Sequence, residues 1–149
     1  MKREIEAEAA HYEQRRAACI EALRIVQRHN RWVDDESVRA IAGVLDMTPD
    51  EVDSVATFYN LIHRRPVGRH VIRICTSVSC SIMGCDGLLA HLKQRFGIGP
   101  GKTSVDNRFT LIPHQCLGAC DHAPTLMIDD DLYHNLSPDT IDAVLERYR

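Results

Sequence analysis

The stretch Val71-Ile72-Arg73-Ile74-Cys75-Thr76-Ser77-Val78-Ser79-Cys80 decides how the second half of this chain is read. Its first four residues are a short β-branched run, the signature of a strand, and the run delivers Cys75 at its end. A second pair, Cys116-Leu117-Gly118-Ala119-Cys120, begins after a gap of 35 residues. The spacings are C-x4-C and C-x3-C. Four thiolates from two short loops can enclose one soft metal centre. Structural zinc usually takes one ligand pair as a tight C-x2-C, which this chain lacks. A plant-type iron–sulfur site has its third cysteine close behind the second, and a Rieske centre needs two histidine ligands; neither pattern is present.

Working outward, Gly84 and Gly87 flank the start of a helix carrying Leu88, Leu89, Leu92 and Phe96. Phe109-Thr110-Leu111-Ile112 reads as a second strand, followed by Pro113 and the second cysteine pair. Strand, helix, strand implies a right-handed crossover and a parallel pair. Both cysteine pairs then fall just past the carboxyl ends of neighbouring strands, where open α/β sheets place ligands. Thr125-Leu126-Met127-Ile128 is a third strand. Asp129-Asp130-Asp131 makes a turn, and Leu132-Tyr133-His134-Asn135 a short returning strand. Ser137 caps a last helix with the stripe Ile141, Val144, Leu145 and Tyr148. The order β-α-β-β-β-α matches a thioredoxin-like sheet. Such folds carry a cis-proline where this chain has Ala123-Pro124.

The first half has a different period. Residues 3–29 read as one helix without Gly or Pro, with Ile20, Leu23 and Val26 supported by Ala17 and Ala22. Val38, Ile41, Ala42 and Leu45 form the stripe of a second helix, started by Asp34 and Asp35. Thr48-Pro49-Asp50-Glu51 is a capping box that opens a third, with Val52, Val55, Ala56 and Tyr59 as its stripe. Short joints between amphipathic helices give a small bundle. Trp32 and Phe58-Tyr59 supply large apolar side chains whose first expected role is core packing. Arg64-Arg65-Pro66-Val67-Gly68 breaks the pattern and sets the boundary between residues 1–66 and 67–149. The fold class is therefore α+β, a helical bundle followed by a thioredoxin-like domain.

Composition narrows the function. The chain has 149 residues and a formal net charge of −3. Up to Pro66 there are twelve acids and ten bases, and beyond it nine acids and eight bases. Nothing there attracts nucleic acid, and the helices are not basic enough for a DNA-binding helix-turn-helix. No apolar run approaches the ~20 residues of a membrane span. The first residues lack the apolar stretch of a secretory signal, so six cysteines are expected as reduced thiols or metal ligands in the cytoplasm, or on a membrane surface facing it. Gly97 to Thr103 resembles a phosphate loop but has Phe96 where the first glycine belongs, and it follows a helix rather than a strand. His114 and His122 bracket the second cysteine pair and are expected to tune the site rather than ligate it. Cys85 and Cys19 are expected outside the ligand set.

Cys116-Leu-Gly-Ala-Cys120-Asp121, with Ala123-Pro124 and Met127-Ile128-Asp129, resembles the small 24-kDa-type, or E, iron–sulfur subunit of NADH:quinone oxidoreductase, respiratory complex I. The likeness extends to residues 66–73, to Val55-Ala56-Thr57-Phe58-Tyr59 and to residues 22–27, so it spans nearly the whole chain. The resemblance implies one [2Fe–2S] cluster held by Cys75, Cys80, Cys116 and Cys120. It implies a partner subunit carrying FMN and the NADH site, further iron–sulfur subunits, and no direct insertion in the membrane. It implies single-electron transfer, with no complete active site in this chain. The same module occurs in NAD-dependent formate dehydrogenases and bidirectional hydrogenases. A zinc-stabilised interaction module would use the same four ligands, whereas a thiol–disulfide enzyme would need a C-x-x-C that is absent. The amides near Leu117, Gly118 and Ala119 are expected to donate to sulfur, and Gly118 to let the loop turn tightly.

Overall fold

A computed structural model describes residues 1–149. The chain divides into two compact units, Met1–Pro66 and Val67–Arg149.

The first unit contains α1 (Lys2–Ala9), a 3-10 turn (Arg15–Ala18), α2 (Cys19–Asn30), α3 (Asp35–Leu45) and α4 (Pro49–Phe58). The single helix expected over residues 3–29 is thus two helices and a turn. Between Ala10 and Ala17 the only large apolar side chain is Tyr12, and it is exposed. The stripe begun by Ile5 and Ala9 has nothing to continue it, so the helix gains nothing by going on. The starts of α3 and α4 follow their sequence signals. The Asp34 carboxylate accepts from the Ser37 N–H at 2.7 Å, and Thr48 and Glu51 form a reciprocal capping box. Leu23 and Val26 from α2, Ile41 and Leu45 from α3, and Val52 and Ala56 from α4 meet in one core. Phe58 and Tyr59 do not join it. The helix ends at Phe58, Tyr59 turns away at φ −89 and ψ 107, and Phe58 is left 80% exposed.

The second unit is a five-stranded sheet of order β2-β3-β1-β4-β5. Its strands are β1 (His70–Cys75), β2 (Lys102–Thr103), β3 (Phe109–His114), β4 (Leu126–Ile128) and β5 (Asp131–Tyr133). Its helices are α5 (Val78–Ile82), α6 (Cys85–Phe96) and α7 (Pro138–Leu145). The central strand β1 runs parallel to β3, with Cys75 opposite His114, and antiparallel to β4. Ile72, Ile74, Leu111, Leu126 and Ile128 pack with Leu88 and Leu92 of α6 and with Ile141 and Leu145 of α7. Three short elements go beyond the sequence reading, one of them a 3-10 turn over Cys120–His122. The strand β2 has only two residues, and α5 is a single turn placed where a loop was expected. The Ala123–Pro124 peptide is cis. No helix is long and apolar enough to cross a membrane.

Candidate metal centre

The β1 strand carries Cys75 to the end of the sheet, where it is 1% exposed. Its backbone is fixed on both sides. The Cys75 N–H donates to the Thr125 carbonyl at 3.1 Å, and the Thr76 N–H donates to the His114 carbonyl at 3.0 Å. Cys80 lies in the middle of α5 and is equally buried. Its sulfur is 3.6 Å from the Thr125 hydroxyl. The second pair follows β3. Cys116 and Cys120 are both exposed, and their sulfurs stand 3.3 Å apart. Gly118 turns the loop at φ +86, a left-handed conformation that a side chain would resist, and its N–H donates to the Cys116 sulfur at 3.3 Å.

The four thiols therefore stand as two pairs at one end of the sheet. The parallel pairing of β1 with β3, with Cys75 opposite His114 and Cys116 two residues further on, brings the pairs to the same end. No three His, Cys, Asp or Glu side chains already converge on one point at coordination distance. All six cysteines are free thiols. Burial alone would push the Cys75 thiol up. The Ser77 N–H, the Cys80 thiol and the Leu117 N–H outweigh it and hold Cys75 below the usual thiol range. Burial raises Cys80, against the Thr125 hydroxyl. The neighbouring Cys116 sulfur raises Cys120. The expected amide donors thus exist at Leu117 and Gly118.

The bracketing histidines differ. His114 Nδ1 donates to the Gln115 carbonyl at 2.9 Å, while its Nε2 is buried without a partner. His122 is half exposed, with Nε2 3.3 Å from the Asp121 carboxylate, and its ring lies 5.3 Å from that of His134. Cys85 opens α6 inside the apolar core, where burial, with Asp86 nearby, pushes its thiol up to about 11. Cys19 is buried in the helical unit, and burial raises it too. Sequence reasoning missed Thr125, which serves Cys75 through its carbonyl and Cys80 through its hydroxyl. Its one signal was a polar residue beside an apolar strand. Ser77 and Ser79 gave no signal.

The donor set suits a soft, anionic metal group. Every candidate ligand is sulfur, and N–H groups point at two of the sulfurs, which favours added negative charge there. Residues 5–149 match the family model of the thioredoxin-like [2Fe–2S] ferredoxin. The chain belongs to that family. It is 52% identical over 145 residues to the E subunit of NADH-quinone oxidoreductase from Escherichia coli strain K12, covering 97% of this chain and 87% of that protein. It is 50% identical over 144 residues to the protein of the same name from Pseudomonas aeruginosa, with the same coverage. Among solved structures it is similar to an NAD+-reducing [NiFe]-hydrogenase, with a TM-score of 0.77 and 25% identity over 88% of this chain and 22% of that one.

Proposed function

We propose that the chain is the [2Fe–2S] electron-transfer subunit in the NADH-oxidising module of an NADH:quinone oxidoreductase. In this reading it exchanges single electrons with FMN on a partner subunit that also binds NADH, and further iron–sulfur subunits belong to the same complex. Residues 67–149 form the ferredoxin domain and residues 1–66 a helical domain. The complex lies at the cytoplasmic face of the inner membrane, with this chain peripheral to it. No complete active site lies in the chain itself. The observation that carries the reading is the placement of two cysteine pairs at one end of the sheet by the parallel pairing of β1 with β3, Cys75 standing opposite His114.

Cys75 and Cys80 would hold the group from the sheet and α5, and Cys116 and Cys120 from the outer loop. A bound [2Fe–2S] cluster supplies a site that takes up and gives back one electron. The residues of this chain set its position and surroundings. The N–H groups of Ser77, Leu117 and Gly118 favour added negative charge on sulfur, which raises a reduction potential. The exposed Asp121 carboxylate acts in the opposite sense. Anaerobic purification followed by metal analysis tests the reading. About two irons and two acid-labile sulfides per chain, with a paramagnetic signal on one-electron reduction, are expected. One zinc per chain, or no metal, contradicts it. The hydrogenase likeness favours a second reading, the equivalent small subunit of an NAD-linked hydrogenase. Identifying the native partners by mass spectrometry separates the two.

A further inference from the structure

The helical unit contains a groove that electron transfer does not need. It measures about 350 Å³ and lies between α1, the first 3-10 turn and α3. Small-molecule sites span roughly 300–1,000 Å³. Lys2, Arg15 and Arg39 stand around it against one carboxylate, Glu6. That is a positive spot on a chain of formal net charge −3. Arg15 Nε donates to the Val44 carbonyl at 2.8 Å, which fixes the guanidinium at the rim and leaves its two terminal nitrogens for a ligand. Its ion pair with the exposed Asp46 is loose, at 3.8 Å. Lys2 and Glu6 are 3.9 Å apart and both in water, so their pairing contributes little. Arg39 is exposed and has no ion pair or hydrogen bond within the chain. The floor is Ala40, Gly43 and Val44, on one side of α3. Glycine inside a helix weakens it, and close packing is the usual reason for keeping one. At Gly43 an added Cβ meets nothing within 4 Å, so packing does not account for it. Its effect is to keep the space between the cations open.

We propose that this groove binds a small anion carrying two phosphate groups, of the pyrophosphate or sugar-bisphosphate class. The guanidinium forks of Arg15 and Arg39 match phosphate oxygens in a bidentate way, and Lys2 adds a point charge. Glu6 offers an acceptor to a sugar hydroxyl. No aromatic side chain lines the groove, so a nucleotide base would have nothing to stack on. Beyond Arg39 stand Asp35, Asp50 and Asp53, which would repel an acidic segment of a partner too long for the groove. The site lies wholly within residues 1–66 and does not depend on the electron-transfer reading.

The test is titration calorimetry on the full chain at ~150 mM salt, with inorganic pyrophosphate and fructose bisphosphate as probes. One site per chain with a Kd below ~1 mM is expected for one probe or both. Arg39→Ala and Gly43→Leu should each weaken binding about tenfold or more. Gly43→Leu keeps every charge and puts a better helix former into α3, so its loss reports the filled space, and its thermal midpoint should not fall. Arg28→Ala is the control: it removes an exposed arginine of α2 outside the groove, and binding should stay within about twofold of wild type. Failure of both probes to bind below ~1 mM overturns the site. So does wild-type affinity in Gly43→Leu, or an equal loss in Arg28→Ala, since either would make the effect one of surface charge alone. ADP bound more than about tenfold tighter than pyrophosphate overturns the non-aromatic ligand class. A hexaglutamate peptide bound tighter than either probe overturns the small-molecule assignment in favour of a protein partner.

Discussion

The two cysteine pairs are set in different material. Cys75 and Cys80 are each 1% exposed and sit on a central strand and a helical turn. Cys116 and Cys120 are exposed, one on a loop turned by a left-handed glycine and the other at the start of the 3-10 turn that follows it. The inner pair is fixed by the same packing that forms the core, so the fold itself positions it. The outer pair depends on a few local hydrogen bonds. One half of the candidate site is therefore built in with the sheet, and the other half rests on an exposed segment outside the core.

The largest expected effect separates the pairs directly. Cys75→Ser replaces a soft sulfur donor by a harder, shorter oxygen at a buried position fixed by the central strand, where the side chain cannot shift to compensate. Iron and sulfide content should fall close to zero. Cys120→Ser puts the same hydroxyl in contact with water, and it should retain part of the iron with an altered paramagnetic spectrum. Equal losses in the two variants would erase the distinction. Thiol accessibility sharpens it. After iron removal by a chelator, Cys116 and Cys120 should alkylate at least about tenfold faster than Cys75, Cys80 and Cys85, followed by peptide mass spectrometry. The smallest effect concerns the loop alone. At Gly118 an added Cβ meets nothing within 4 Å, so Gly118→Ala probes backbone strain only. A left-handed alanine costs roughly 1–2 kcal/mol. Iron should leave this variant several-fold faster in a chelator challenge, with the unfolding midpoint little moved.

Much of this was legible in the residues. The strands around Ile72, Leu111 and Leu126 and the caps at Asp34, Thr48 and Ser137 are local signals, and each stands where the sequence puts it. The parallel pairing of β1 with β3 followed from the helix between them. Elements too short to show a period were not legible. The β2 strand has two residues, and α5 five, with its apolar side chains turned outward. An outward apolar face inverts the pattern that sequence reading uses, and Phe58 fails for the same reason. Large apolar side chains are expected inside, but a partner's surface is an equally good refuge from water. Thr125 was hidden for a different reason: its value lies in tertiary proximity to Cys75 and Cys80.

The register of β1 has a consequence for how such chains can change. Strand residues alternate between faces, so one extra or missing residue within residues 70–75 would send Cys75 to the opposite side of the sheet. The spacing between His70 and Cys75 is thus under the same constraint as the cysteine itself. Insertions should be tolerated in the turn between β2 and β3, and refused along this strand.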